Sequence, residues 1–375
     1  MSSSNFFLGL GDEMGKLDKD RFQKELAIKY CLVRGLVPFP EVVVPSAADV
    51  SDCVEVLTDL DVLGIEFVSD GELRRTLFDC KTTNKMSSIN RAFWAAGVME
   101  YTSCHHSYVI LKNKAVHNHR MSALLMGVDL HTDESFKDLG KSVDVAFPSD
   151  SAYQASIDRW VKVQERYDCN AWSKELFNLN RNVVPLTASP NGVFRRYLAE
   201  LRQVRGMFDP GKPAHICVFL DSLASLMVLW ASLARDARRF YEPTMAKAEF
   251  EKALRYYLWG GKESYQMRQQ MREKAAADNP ALGAVELPSW EKLVAFVGIV
   301  LSAPQSIFQC AFFCRELAFR LAAGSLPELD AELAKFSGAN SRIRQFSVGL
   351  VDYLIAACGL PRDLGKAVQA EVFSH

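Results

Sequence analysis

The hydrophobic and polar positions of this chain follow one pattern before about residue 145 and another after it. In DKDRFQKELAIKYCLVRGLV (residues 18–37) apolar side chains recur near helical spacing and Gly35 closes the run, which predicts a helix. The β-branched segment FPEVVVPS follows. Residues 54–68 and 72–82 then alternate, with the turn signal Ser69-Asp70-Gly71 between them. This pattern predicts three strands, the last two of which form a hairpin.

A second helix, a strand and a third helix are predicted before residue 145. SSINRAFWAAGVMEYTS has a helical pattern, with Ser87 or Ser88 as its N-terminal cap. SYVILKNK (residues 107–114) is typical of a strand, and HRMSALLMGVDL (residues 119–130) of a helix. The order is therefore helix, three strands, helix, strand, helix, which predicts an α/β domain over residues 1–145.

From about residue 150 the pattern is helical, with no convincing strand. It predicts an all-helical domain over residues 150–375, with Pro and Gly between several of the helices. The predicted helices are 151–168, 190–206, 215–241, 244–274, 289–302, 305–323, 327–336 and 339–358. Two stretches, 215–234 and 293–314, are very apolar. Asp221 interrupts the first and Pro304 the second, so buried bundle helices are favoured over membrane spans.

Composition describes an ordinary globular protein. Of the 375 residues, 49% are hydrophobic and 24% are charged, and the formal net charge of -1 excludes a generally basic nucleic-acid coat. Acidic residues outnumber basic ones in residues 1–145, and the reverse holds after that. The nine cysteines form no CxxC pair, which suits a reducing compartment. The first residues lack the pattern of a signal peptide, so a cytoplasmic location is expected.

The hairpin carries a combination of side chains that suggests chemistry. Asp79 and Lys81 are two residues apart in LFDCKTT, so on a strand they share one face, while Cys80 points to the packed side. Asp61 lies on the neighbouring strand, and Glu25 on the preceding helix could pack at the same sheet edge. Mg²⁺ prefers such carboxylate oxygens together with phosphate and water. A lysine beside the ion can orient or deprotonate the attacking water.

These residues resemble the PD-(D/E)XK, or restriction-endonuclease-like, nuclease superfamily. Glu25 in an early helix, then LDVLG and FDCK, follow that motif over roughly residues 15–130, although Leu60 stands where the motif has proline. The resemblance implies an αβββαβ core and hydrolysis of phosphodiesters, most readily of DNA, with Mg²⁺ or Mn²⁺. It implies that Asp61, Asp79 and Glu25 bind the metal and that Lys81 acts in catalysis. It also suggests defence against foreign DNA.

Simpler interpretations stand beside this one. Asp79 and Lys81 could form a surface ion pair, which contributes under about 1 kcal/mol. Asp59 shares the face of Asp61 and competes with it, and Glu25 could be a surface partner of its lysine neighbours. Arg91 is a candidate phosphate contact, but solvation of its helix is favoured. A group of cysteine and histidine side chains resembles a zinc site, although no second cysteine pair supports it: Cys104, His105, His106, His117 and His119.

The helical domain contains several groups of basic residues. Arg195, Arg202 and Arg205 recur at helical spacing near Tyr197, which makes this helix the first choice for contact with nucleic acid. Solvated helix faces, a partner protein or a homo-oligomer are the alternatives for this domain. Cys310 and Cys314, one helical turn apart, are expected to be core residues. The main alternative for the whole chain is an inactive nuclease-like module that binds nucleic acid or a partner protein; membrane association is the less favoured one.

Overall fold

The computed structural model describes residues 17–46, 55–68, 72–82, 86–278 and 285–374. The chain divides into two compact units. The first unit consists of Met1–Leu186 with Ala318–Leu333, and the second of Thr187–Leu317 with Ala334–His375. The change of sequence pattern near residues 145–150 therefore lies inside the first unit, whose helices up to Leu186 belong with the sheet.

The first unit is built on a five-stranded mixed sheet with helices. The strand order is β1-β2-β3-β4-β5, in which β1, β2 and β3 are antiparallel neighbours and β3, β4 and β5 are parallel ones. The elements, in chain order, are α1 (Arg21–Val33), β1 (Val37–Pro45), β2 (Val56–Phe67), β3 (Leu73–Lys81), α2 (Ser88–Thr102), β4 (His106–Leu111), α3 (His117–Leu124), β5 (Val128–Thr132) and α4 (Asp133–Val143).

The predicted order of helix, three strands, helix, strand and helix is confirmed. Ser87 caps α2 by accepting a hydrogen bond from the Asn90 backbone N–H, as predicted. The proposed turn Ser69-Asp70-Gly71 lies outside the described residues. Burial does not alternate in the middle of β2 and β3, because residues 62–65 and 76–80 are all buried and both faces of the sheet are covered there.

The prediction of one helix over residues 119–130 is wrong at its C-terminal end. The helix α3 ends at Leu124, Gly127 adopts a left-handed φ of 71°, and the chain then enters β5. Val128 and Leu130 are buried there and alternate with polar residues. A short helix followed by a short strand gave an apolar spacing that mimics one helix. The helix α4, which Thr132 caps with its side chain, was not predicted.

The chain after α4 is helical throughout its described part, and no strand occurs there. Its helices are α5 (Ile157–Asp168), α6 (Lys174–Asn178), α7 (Val184–Leu186), α8 (Pro190–Gln203), α9 (Pro213–Phe240), α10 (Lys247–Leu258), α11 (Lys262–Asp278), α12 (Trp290–Leu301), α13 (Gln305–Ala323), α14 (Pro327–Gly338), α15 (Arg342–Cys358) and α16 (Arg362–Phe373), with a π-helical turn at Leu179–Val183.

The prediction of helices after residue 150 is confirmed for most of them and wrong in two respects. The span predicted as 244–274 is two helices, since Gly260 and Gly261 adopt φ values of 81° and 115° between α10 and α11. The helices between residues 174 and 186 and the last helix, α16, were not predicted.

The core of the second unit is centred on the apolar helix α9. Among the described helices, α9 alone is by itself long and apolar enough to cross a membrane, and 94% of its most apolar window is buried. The helices α12 and α13 pass the same test only as a pair bent by 107°. Asp221 of α9 lies 3.3 Å from the Arg315 guanidinium of α13, and both side chains are fully buried. Cys310 and Cys314 are buried, as predicted.

Candidate active site

The structure brings together three of the four predicted catalytic residues at one end of the hairpin strands. The last paired residues of β2 and β3 at this end are Val62 and Phe78, so Asp61 and Asp79 follow directly on neighbouring strands. Lys81 Nζ lies 2.6 Å from Asp61 Oδ2 and 3.5 Å from Asp79 Oδ1. One ammonium group therefore contacts both carboxylates.

Asp61 also accepts a hydrogen bond from the backbone of β3 where the pairing of β2 with β3 has ended. Its Oδ2 accepts a hydrogen bond of 2.8 Å from the Cys80 backbone N–H, beyond the last paired residues of the two strands. The Cys80 side chain is fully buried, as the strand alternation predicts, and burial raises the pKa of its thiol well above the ordinary value. The thiol is therefore a core group, and the polar side chains stand at the positions on either side of it.

Asp79 is a buried carboxylate held by an arginine. Only 1% of its side chain is exposed, and Arg91 on α2 donates from Nε and Nη2 to its two oxygens. The Arg91 guanidinium also lies 4.5 Å from the centre of the Trp94 ring. Burial raises the pKa of Asp79 to about 6, against the lowering effect of Arg91. The expectation that Arg91 only solvates its helix is therefore wrong.

Glu25, the fourth predicted catalytic residue, is not brought to this cluster. Its Oε1 accepts a hydrogen bond of 3.0 Å from the Ile157 backbone N–H, at the first turn of α5, and lies 3.9 Å from Arg21 Nη2. Successive side chains on a helix point about 100° apart. The neighbouring Lys24 therefore points to the acidic residues, and Glu25 binds a helix start, where a negative charge is stabilised.

Lys24 and Glu41 are the main residues of the cluster that sequence reasoning missed. Lys24 is 1% exposed, forms an ion pair with Glu41, and has its Nζ 4.0 Å from Asp61 Oδ1. Glu41 lies between the pairs Pro40–Val62 and Val42–Leu60, and so stands opposite Asp61. Glu41, Asp61 and Asp79 thus form a row across β1, β2 and β3. The available signal was a single acid within the apolar strand VPFPEVVVP.

Glu41 has an uncommon backbone conformation and a carboxyl with a raised pKa. Its φ is 54°, a left-handed value that is uncommon for a residue with a side chain. Burial raises the pKa of its carboxyl to about 7, against the lowering effect of Lys24, while the charges of Asp61 and Asp59 add to the rise. Asp59, the predicted competitor of Asp61, is paired with Val43 in the β1–β2 ladder.

Asp20 joins the start of α1 to the end of β3. Its Oδ1 accepts hydrogen bonds from the Thr82 backbone N–H, at 2.7 Å, and from the Thr82 hydroxyl, while its Oδ2 lies 4.0 Å from Lys81 Nζ. Burial raises the pKa of Asp20, but the two Thr82 hydrogen bonds and the charge of Lys81 lower it below its usual range. This contact fixes the backbone next to Lys81.

A small cavity adjoins the acidic row. It has a volume of about 30 Å³ and Glu41 forms part of its wall, so it has room for an ordered water molecule beside that carboxyl. Other lining residues come from the helices after residue 150, and Asn182 among them accepts a hydrogen bond of 2.9 Å from the Val43 backbone N–H. The helical segment up to Leu186 thus completes one wall of the site.

Two carboxylates, and not three, are placed to share a cation here. Within the described residues no group of three His, Cys, Asp or Glu side chains could enclose a metal ion. Three of the five residues suggested for zinc have other partners: Cys104 contacts the Thr102 hydroxyl, His106 pairs with Asp129, and His119 pairs with Ser88. Mg²⁺ needs only one or two protein carboxylates, and each carboxylate oxygen has two lone pairs. The cation that Asp61 and Asp79 share in this structure is the Lys81 ammonium, so Mg²⁺ at these two carboxylates would share their oxygens with Lys81 and Arg91.

The predicted nucleic-acid contacts of the second unit differ in exposure. Arg195 of α8 is partly buried and donates from Nη1 to the Leu258 carbonyl oxygen, whereas Arg202 and Arg205 are exposed. Arg195 thus contacts the end of α10.

Comparison with protein-family models, with curated protein sequences and with solved structures gives no significant match to this chain.

Proposed function

We propose that the first unit is a restriction-endonuclease-like domain that hydrolyses phosphodiester bonds with Mg²⁺ or Mn²⁺, with DNA as the preferred substrate. The observation that carries the proposal is the contact of Lys81 Nζ with both Asp61 and Asp79 at the end of two adjacent strands. The element order αβββαβ of α1 to β4 is the order that this family has. Defence against foreign DNA in the cytoplasm is the biological context of the proposal.

Each residue of the site has a role in this proposal. Asp61 and Asp79 would hold the metal ion, which supplies Lewis-acid stabilisation of the charge that develops on the phosphate. Burial lowers the pKa of Lys81, but the charges of Asp61 and Asp79 raise it more, so the side chain is an ammonium ion. Lys81 therefore donates hydrogen bonds to the attacking water or the phosphate oxygens and does not accept a proton.

Arg91 and Lys24 position the two carboxylates. Arg91 fixes both oxygens of Asp79, so that this side chain keeps one orientation. Lys24 holds Glu41 beside Asp61 and contributes positive charge to a row of three acids. Without these cations, three neighbouring carboxylates in a buried row would repel one another.

A cleavage assay tests the proposal. Purified protein is incubated with Mg²⁺ or Mn²⁺ on linear, circular and single-stranded DNA and on RNA. We expect cleavage by the native chain, and a loss of about 10²-fold or more in Asp79→Asn and Lys81→Ala, because each removes a charged group at the reacting phosphate. Lys141→Ala removes an exposed lysine of α4 and is the matched control. Circular dichroism checks that each variant is folded.

The alternative, an inactive nuclease-like module, is favoured by one specific observation. Asp79 is almost fully buried and Arg91 pairs with both of its oxygens, an arrangement that a purely structural ion pair also has. Native protein that binds DNA but cleaves none of the four substrates with either metal would establish this alternative. Full activity in the Lys81→Ala variant would refute the catalytic assignment.

A further inference from the structure

Two arginines contact one tryptophan in the second unit, and a third arginine follows one helical turn later. The arginine–tryptophan cluster consists of Arg195 on α8, Trp259 at the end of α10, and Arg268 and Arg272 on α11. Gly260 and Gly261 between α10 and α11 adopt positive φ values, which turn the chain so that Tyr265 of α11 contacts Tyr256 of α10 with their rings 5.6 Å apart. The turn therefore brings Arg268 of α11 back to Trp259.

Two guanidinium groups lie at the same indole ring. The Cζ atoms of Arg195 and Arg268 are each 5.3 Å from the Trp259 ring centre, within the range of cation–π attraction. Burial lowers the pKa of Arg195, and the charge of Arg268 lowers it further. The indole thus holds two like charges close enough to repel each other.

The cluster has no carboxylate partner within the described residues. Arg195 donates to a neutral carbonyl, and no ion pair of Arg268 or Arg272 with an Asp or Glu occurs there. The nearest acid on the helix, Glu273, accepts a hydrogen bond from Gln269. Arg272 Nε and the Trp259 indole N–H are buried and have no hydrogen-bond acceptor in the described part of the chain. The cluster therefore has an excess of positive charge and of donors.

Other arginines of the same unit differ in this respect. Arg255 also lies over a tryptophan, with its Cζ 4.5 Å from the Trp290 ring centre, but it forms ion pairs with Glu251 and Glu286. Arg235 pairs with Asp236 at 2.9 Å. The paired arrangement is thus available on neighbouring helices, and the arginine–tryptophan cluster lacks it.

We propose that the arginine–tryptophan cluster binds the phosphodiester backbone of a nucleic acid. Guanidinium groups form bidentate hydrogen bonds with phosphate oxygens, and arginine and aromatic side chains together form the usual surface for single strands. The choice of a nucleic acid over another polyanion rests on the proposed function of the first unit. The surface offered to the strand includes the exposed Arg268 and extends one helical turn along α11 to Arg272.

Fluorescence anisotropy with a labelled single strand of about 20 nucleotides, and with its duplex, tests this site. EDTA is present so that no cleavage occurs. We expect the double variant Arg268→Gln/Arg272→Gln to bind about tenfold more weakly than the native chain. The slope of log affinity against log salt should fall by between one and two, because each lost phosphate contact contributes slightly less than one. The exposed Arg268→Gln single variant should show part of both effects.

Lys274→Gln is the matched control, because it removes one exposed positive charge from another side of the same helix. We expect it to keep the native affinity and slope. Polyglutamate and inorganic phosphate serve as competitors and should displace the strand only weakly. Native affinity in the double variant, an equal loss in the Lys274→Gln control, or efficient displacement by either competitor would overturn the proposal.

The outcome is separable from that of the cleavage assay. Lys141→Ala, which removes an exposed positive charge of the first unit outside both sites, should bind the strand with native affinity. A chain that cleaves nothing but loses binding in the double variant would refute hydrolysis and support the cluster. A chain that cleaves DNA and binds equally well without the two arginines would support hydrolysis and refute the cluster.

Discussion

The ion pair between Lys24 and Glu41 places two charged residues where burial disfavours both. Lys24 is 1% exposed and Glu41 16%, so the pair brings two polar groups into a packed region where each needs a partner. Strand alternation was sufficient to predict that Asp79 and Lys81 share a face. Residue spacing could not identify Lys24, because α1 buries residues on several sides, including Gln23, Lys24 and Leu26. The side of α1 that faces the acidic residues is therefore not predicted by its hydrophobic pattern.

The raised pKa of Glu41 makes stability depend on pH. In the folded chain the Glu41 carboxyl keeps its proton up to about pH 7, whereas the ordinary pKa of this group is 4.5. The unfolded chain therefore binds fewer protons between these two pH values, and stability falls as pH rises through this window. We expect Glu41→Gln to reduce this fall by on the order of 2 kcal/mol. Thermal unfolding in EDTA at pH 5 and at pH 8 measures it. An equal change of melting temperature in native and variant protein would contradict the assignment.

The strands of the hairpin were predictable as elements because each is long and alternates, whereas β5 was not. At five residues, Val128–Thr132 is too short to show alternation clearly after the helical spacing of α3. The next helix, α4, packs closely at a glycine: a side chain at Gly140 would overlap the buried Phe147 ring. Such a contact depends on tertiary packing, so no local pattern reveals it.

Gly140→Ala is expected to lower the free energy of unfolding by about 1–3 kcal/mol, because an added methyl group in a filled core forces its neighbours to move. Gly97→Ala in α2 is the matched control, since a side chain there meets nothing within 4 Å. Alanine at that helical position is expected to be neutral or to stabilise by up to about 1 kcal/mol. Urea denaturation compares the two. Equal stability of both variants would mean that Phe147 does not pack on Gly140.

At the scale of the whole molecule, the chain consists of a sheet-based unit and a helical unit, as its two hydrophobic patterns predict. The boundaries differ because compactness depends on contacts between distant segments: Ala318–Leu333 belongs to the first unit. Thus Tyr153 donates a hydrogen bond of 2.7 Å to Asp330. Sequence pattern alone contains no information on such a return of the chain.

The stability of the second unit depends on the ion pair between Asp221 and Arg315. Removal of one partner of a fully buried pair leaves the other charge in the core, so Asp221→Asn should cost about 3–5 kcal/mol. Asp363→Asn is the control, because Asp363 forms an exposed pair with Lys366 and should not change the melting temperature measurably. Scanning calorimetry measures both. An unchanged transition in Asp221→Asn would show that the buried pair contributes no net stability.

The burial of α9 has a consequence for the synthesis of the protein on the ribosome. Three helices that cover it, α12, α15 and α16, follow it in the chain, the last of them ending at Phe373. Until they emerge, the nascent chain exposes a segment with the length and hydropathy of a membrane span. The protein is therefore expected to need a chaperone that shields this segment during translation, and premature termination before α12 would leave an aggregation-prone product.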